Sequence, residues 1–232
     1  MIDFTLCYSH EDGKMHVGKN CTEEKEAFVG EITDEIYEAD WYRGEGRILW
    51  LENCDLVSSA DMAMMVPNDT EIRFSGKNSI KVVTGREEAN VSVLYCDGDL
   101  VLEGGPEDIL DVRGETEEVA LYSRAIMARF GNLTVNGGVI IALGGKAKKN
   151  AGLYAGGHIY HEVGEKGIIT INAGHITATR IMPAAYHKDV THIAGGSKVE
   201  NALLYDGDGS YWQGPKLEPI DPKLPVVVSF EA

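Results

Sequence analysis

The sequence predicts an all-β fold, a right-handed parallel β-helix with irregular N- and C-terminal caps. Three observations carry this expectation. A short apolar phrase recurs along the chain, two further apolar stretches accompany its copies, and the gaps hold polar turns and glycine instead of helix-length segments.

The first phrase alternates apolar residues and ends on glycine or asparagine, except that the last copy has Ala173 with Gly174 next. It reads LWLEN at 49–53, IRFSG at 72–76, LVLEG at 100–104, LTVNG at 133–137 and ITINA at 169–173. Alternation with period two is the signature of a strand with one buried face. A second apolar stretch follows each copy, at 56–57, 80–82, 109–112, 139–142 and 176–178. The third element is AMMVPND at 63–69, VLYCDGD at 93–99, AIMARFGN at 125–132 and GLYAGG at 152–157, with another copy, LLYDGDG, at 203–209. Each repeat therefore holds three strands joined by Gly, Asn or Asp turns.

The central anchors of the first phrase are Leu51, Phe74, Leu102, Val135 and Ile171, at unequal intervals. Parallel strands joined by crossover helices would need a helix in each gap, which the gaps do not supply. Stacked coils that grow by loop insertion explain a constant phrase at unequal spacing. The expectation is that the five anchors form one internal column. Asn53, Gly76, Gly104, Gly137 and Gly174 should sit at or beside corners that need a left-handed backbone. The longest irregular interruptions are 144–166 and 180–198, expected to project from one edge.

One domain over 1–232 follows from length and composition: a cap and first coil at 1–46, repeat coils at 47–210, and a tail at 211–232. Residues 22–40 read either as a helix start or as an alternating strand, and a β-rich first coil is preferred. The closing VVVSF at 226–230 is a candidate strand over the last coil. No stretch reaches membrane-span length, and the N-terminus lacks the basic and apolar regions of a secretion signal. The expected location is cytoplasmic.

Formal net charge is −16. This repels nucleic acid and suits divalent cations, basic proteins or neutral sugars. Residues 23–45 hold nine acids offset only by Lys25 and Arg43. The spacing of Cys7, Cys21, Cys54 and Cys96 fits no compact zinc pattern, and buried thiols are expected.

The phrases IRFSGKNSIKV, VLYCDGDLVLEGG, LTVNGGVIIALGG and ITINAGHITAT resemble the carbohydrate-binding β-helix modules of bacterial surface proteins, over roughly 27–210. The resemblance implies non-catalytic binding of polysaccharide, acidic sugars included, with bound calcium.

Candidate site residues fall into three groups. Asp97 and Asp99, with Asp206 and Asp208 at the same repeat position, could lend carboxylates to calcium, although Asp and Gly are ordinary turn residues. His158 and His161 form an HxxH pair that needs a third ligand to hold a transition metal. Tyr95, Tyr154 and Tyr205 share a repeat position, and Tyr160, Tyr186 and Trp212 lie nearby; such rings suit sugar stacking or plain packing. Asp108, Asp111, Arg113 and Arg129 have no spacing that singles out a catalytic centre. The expected partners are a polysaccharide or, in the alternative reading, a basic protein surface bound by an acidic interaction scaffold or inhibitor.

Overall fold

The structure, a computed structural model, describes residues 5–8, 15–18, 47–66, 69–156, 167–183, 191–202, 211–214, 217 and 219–230. Among these the fold is all-β, with three mostly parallel seven-stranded sheets, none closed into a barrel. In chain order the strands are β1 (Thr5–Tyr8), β2 (Met15–Gly18), β3 (Arg47–Glu52), β4 (Asp55–Ser58), β5 (Met64–Val66), β6 (Thr70–Ser75) and β7 (Lys77–Thr84). Then come β8 (Asn90–Cys96), β9 (Leu100–Gly104), β10 (Ile109–Thr116), β11 (Ala120–Ala128), β12 (Leu133–Val135), β13 (Val139–Leu143) and β14 (Ala147–Ala155). The last are β15 (Ile169–Ile171), β16 (His175–Ala178), β17 (Ile181–Pro183), β18 (Thr191–Ala194), β19 (Ser197–Glu200), β20 (Tyr211–Gly214) and β21 (Val226–Phe230).

From β3 to β15 each strand pairs in parallel with the strand three places later. Sheet B stacks β3, β6, β9, β12, β15 and β18; sheet C stacks β4, β7, β10, β13 and β16; sheet A stacks β5, β8, β11, β14 and β17. The three apolar elements of the repeat thus feed three different sheets. Their inward residues merge into one core.

Antiparallel strands terminate the stacks. β2 pairs with β1, and β20 with β18. β21 lies between β16 and β19 and is antiparallel to both, burying Val226 and Val228. Asn201, at φ 54°, fastens the segment before β21. Its amide donates to the Leu224 and Pro225 carbonyls at 2.8 and 3.1 Å, and its side-chain oxygen accepts from the Asp221 N–H at 2.8 Å.

The five anchors are all buried in sheet B, but their register differs from the expected single column. Leu49, Ile72, Leu102, Val135, Ile171 and Ile193 are the aligned residues. Leu51 and Phe74 lie further along their strands, opposite Gly104. The cause is steric: the Phe74 ring fills the space over Gly104, where a Cβ would stand 2.3 Å from Cε2.

The corner glycines divide in the same way. Asn53, Gly76 and Gly174 have φ of 53°, 68° and 105°. Gly104 and Gly137 do not need that conformation; they are required by close approach, and a Cβ on Gly137 would lie 2.6 Å from the Gly104 carbonyl oxygen. The expected interruptions also need correction. Within 144–166 lies β14, and within 180–198 lie β17 and β18, so these parts belong to sheets A and B. Residues 157–166 and 184–190, and the whole of 22–40, lie outside the described residues.

Candidate functional site

The outer face of sheet A is built by the long strands β8, β11 and β14. In β11 the inward residues are Ser123, Ile126 and Ala128; the alternation breaks at Ala125 and Ile126, both fully buried. Ser123 Oγ fills the space above Gly114 and accepts the Gly145 N–H at 2.7 Å. Because of the break, Tyr122 and Arg124 reach the outer face before it, and Met127 and Arg129 after it.

Two columns cross these strands. Asn90, Tyr122 and Lys149 are aligned, as are Met65, Tyr95, Met127, Tyr154 and Met182. Tyr95 and Tyr154 therefore do share a column, with Met127 interposed. A thioether between two rings is a favourable packing arrangement. Ser92 Oγ approaches Met127 Sδ at 3.5 Å.

Arg124 sits among these rings. Its guanidinium carbon is 4.5 Å from the Tyr122 ring centre and 4.9 Å from that of Tyr154. It donates to Asn90 Oδ1 at 3.1 Å. Lys149 Nζ lies 5.4 Å from the same Tyr122 ring. Burial, reinforced by the charge of Arg129, holds the Arg124 guanidinium below its ordinary range, against the two tyrosines. Among the described residues it has no carboxylate partner, in a chain of net charge −16. Ring contacts stabilise a cation modestly and leave its in-plane N–H donors open.

Further along the same chain segment, Arg129 donates to Tyr95 Oη at 2.9 Å and stands 3.9 Å from Asp97. The Tyr95 hydroxyl donates to Asp97. Asp99 instead braces the backbone. Its Oδ1 accepts the Asn132 N–H at 2.8 Å, while its own N–H is taken by Asp69 at 3.2 Å. Asn132 continues the ladder by accepting from Gly167 and Ile168, each at 3.0 Å. Asp97 and Asp99 are thus engaged within the protein. Among the described residues no group of three or more His, Cys, Asp or Glu side chains converges as a metal would require. Tyr160, Tyr186, Tyr205, Asp206, Asp208, His158 and His161 lie outside the described residues. Trp212 is placed in β20 opposite Ile193 by its backbone alone.

The four residues weighed for catalysis have structural partners. Asp108 accepts the Gly76 and Gly105 N–H groups at 2.7 and 2.8 Å, and Asp111 pairs with Arg113 at 2.6 Å; Arg129 is held by Tyr95. Two residues of the surface carried no repeat signal, Tyr122 and Arg124, which precede the AIMARFGN phrase; Trp50, an outward spacer of the LWLEN phrase, is 46% exposed on sheet B beneath Arg73.

Two buried groups make a pH prediction. Burial, then the hydrogen bond to Asp97, pushes the Tyr95 hydroxyl up to about 12, with Arg129 opposing. Burial likewise pushes the Cys96 thiol up to about 11. Both values are raised, so the folded chain keeps protons that the unfolded chain releases. That stabilisation is complete below the ordinary thiol value of 9.0 and is lost as pH rises towards about 12. The urea midpoint should fall across this alkaline window, less steeply in Tyr95→Phe. A midpoint that holds steady there would refute the assignment.

Among the described residues no helix is long and apolar enough to cross a membrane. Comparison of the chain with protein-family models, curated proteins and solved structures finds no match.

Proposed function

We propose that the three sheets are the walls of a right-handed parallel β-helix, and that the outer face of sheet A is a non-catalytic binding surface for an acidic polysaccharide. The carrying observation is Arg124, a cation between two tyrosine rings with no carboxylate of its own among the described residues. The surrounding chemistry agrees. Tyr122, Tyr154 and Met127 supply an apolar floor, while Lys149 and Asn90 supply polar groups at its rim. A sugar presents the same mixture, C–H faces with hydroxyls at the edge. A uronate adds the carboxylate that Arg124 lacks, and a planar guanidinium matches a carboxylate through paired donors. Binding needs no movement of the backbone, because the ligand's contacts sit on paired strands. Calcium enters the reading through the sequence resemblance alone.

Titration calorimetry tests this with polygalacturonate and a neutral glucan, each with and without calcium. Saturable polygalacturonate binding that weakens with salt is expected. Arg124→Gln should reduce its affinity about tenfold or more, the loss of one charge-assisted contact. Absence of saturable binding to either polymer overturns the reading.

A second reading has one observation in its favour. Tyr, Met and Arg are the residues enriched at the centres of protein interfaces, and this face carries all three. Retention of a host protein by wild type but not by Arg124→Gln, with no sugar bound, would select a protein-interaction scaffold.

A further inference from the structure

We infer that the outer face of β11 and the turn after it reads its ligand at two chemically different stations: an ionic one at Arg124, and a hydroxyl-reading one formed by Tyr95, Asp97, Arg129 and Phe130. The bound chain then crosses the strands from β14 over β11 to β8. This rests on the polysaccharide reading of the same face.

The two guanidiniums belong to residues five positions apart in the chain. Their heads nevertheless meet one column, Arg124 against the Tyr154 ring of β14 and Arg129 against the Tyr95 hydroxyl of β8, with Met127 of β11 between them; two strand spacings of roughly 4.8 Å put these strands about 10 Å apart, more than a single sugar ring can span. Met127, 7% exposed, forms the floor between them.

Their electrostatics differ. Arg124 has no carboxylate partner among the described residues, whereas Arg129 stands 3.9 Å from Asp97 and donates to Tyr95 Oη at 2.9 Å. The second cluster is therefore close to neutral. It still offers open guanidinium N–H donors beside a carboxylate with unused lone pairs. A donor and an acceptor side by side match a sugar's neighbouring hydroxyls, which donate and accept, and are poorly suited to a second anion.

The second station is also fixed in place. Phe130 adopts φ 63°, a conformation that disfavours bulky side chains. Such outliers gather where a ligand clamp is held by its surroundings. Here the surroundings are visible: Gly131 is pressed against the turn below, where a Cβ would stand 2.1 Å from the Gly98 carbonyl carbon. The Arg129 N–H bonds the Cys96 carbonyl at 2.7 Å. Held in this way, the Phe130 ring lies under the Arg129 guanidinium at 4.3 Å, which is gripped between that ring and the Tyr95 hydroxyl.

The test is calorimetry with galacturonate oligomers from monomer upward, at low and high salt. Wild type should bind more tightly as length increases, until both stations are covered. Arg129→Gln should cost about tenfold for long oligomers at both salt levels, and nothing for the monomer. Arg124→Gln should weaken every length at low salt, with a loss that shrinks at high salt. Tyr95→Phe, which keeps the ring and removes the hydroxyl holding Arg129, should give a smaller, salt-insensitive loss, so the inference does not hang on one variant. Urea midpoints check that each variant is folded. An Arg129→Gln loss that fades with salt as Arg124→Gln does, or that is the same for monomer and long oligomer, overturns the inference and leaves the polysaccharide reading standing. Wild type that binds no oligomer of any length overturns both.

Discussion

Asn78→Leu should destabilise the protein by about 3 kcal/mol or more, although it preserves side-chain volume. Asn78 is 1% exposed and belongs to the inward row of sheet C that continues as Leu110, Ile140 and Ile176. It is polar because it joins three successive circuits of the chain. Its side-chain oxygen accepts the Cys54 N–H at 2.9 Å. Its amide donates to the Ser75 carbonyl at 2.9 Å and to the Ile109 carbonyl at 3.3 Å. Leucine removes all three bonds; the Ser75 carbonyl keeps the Asn53 N–H at 3.4 Å, while a buried backbone group that loses its partner costs about 1–3 kcal/mol. The comparison is Asn172→Ala. Asn172 donates to Asn136 at 2.9 Å at an exposed corner, where water replaces the lost partner, and less than about 1 kcal/mol is expected. Urea midpoints check both. Equal effects of the two substitutions would show that Asn78 does not bridge the circuits.

Gly104→Ala should cost about 2–3 kcal/mol, an overpacking penalty with a specific source. The added Cβ would stand 2.3 Å from Cε2 and 2.5 Å from Cζ of Phe74. The ring has little room to retreat, since it also closes over Gly138, where a Cβ would stand 2.4 Å from Cζ. Phe74→Leu leaves a cavity and destabilises by itself. In that background, however, Gly104→Ala should cost almost nothing, because the atoms it strikes are gone. A double-mutant cycle measures the coupling directly. Simple additivity would mean that Phe74 does not lie over Gly104 and that the register of β6 on β9 is different.

Much of the all-β layout was legible in the sequence. The phrases at 49–53, 72–76, 100–104, 133–137 and 169–173 contribute β3, β6, β9, β12 and β15 to a single sheet, because alternation is dictated by one buried face. Their register was not legible. It depends on which side chain meets which glycine across the stack, and Phe74 fills the space of Gly104 without any local sequence signal. The first half of β14, and β17 and β18, were read only as interruptions for a related reason. β14 begins with the polar run AKKN, and β17 is the three-residue IMP, so neither displays the alternation that identifies its neighbours.

The candidate site was legible in part. The shared position of Tyr95 and Tyr154 followed from the third repeat element. Tyr122 and Arg124 did not, since the outward parity of β11 changes at the buried pair Ala125 and Ile126, and period-two reading cannot carry a face across such a break. The acidic total concealed the site as well. A net charge of −16 directs attention to basic partners, whereas Arg124 on the outer face of sheet A is positive and has no carboxylate partner among the described residues. Asp99, which looks like an open ligand in the sequence, is consumed by a backbone N–H of the following turn, and Asn132 accepts from the turn after that.

The location of the binding face can be read directly from backbone amide chemical-shift changes as polygalacturonate is titrated into the isotope-labelled protein. The predicted result is a saturable set of changes confined to residues 90–97, 122–130 and 149–154, which converge only on the outer face of sheet A, and reduced in Arg124→Gln. Changes centred instead on the outer faces of sheets B or C, or no saturable change anywhere, would contradict it.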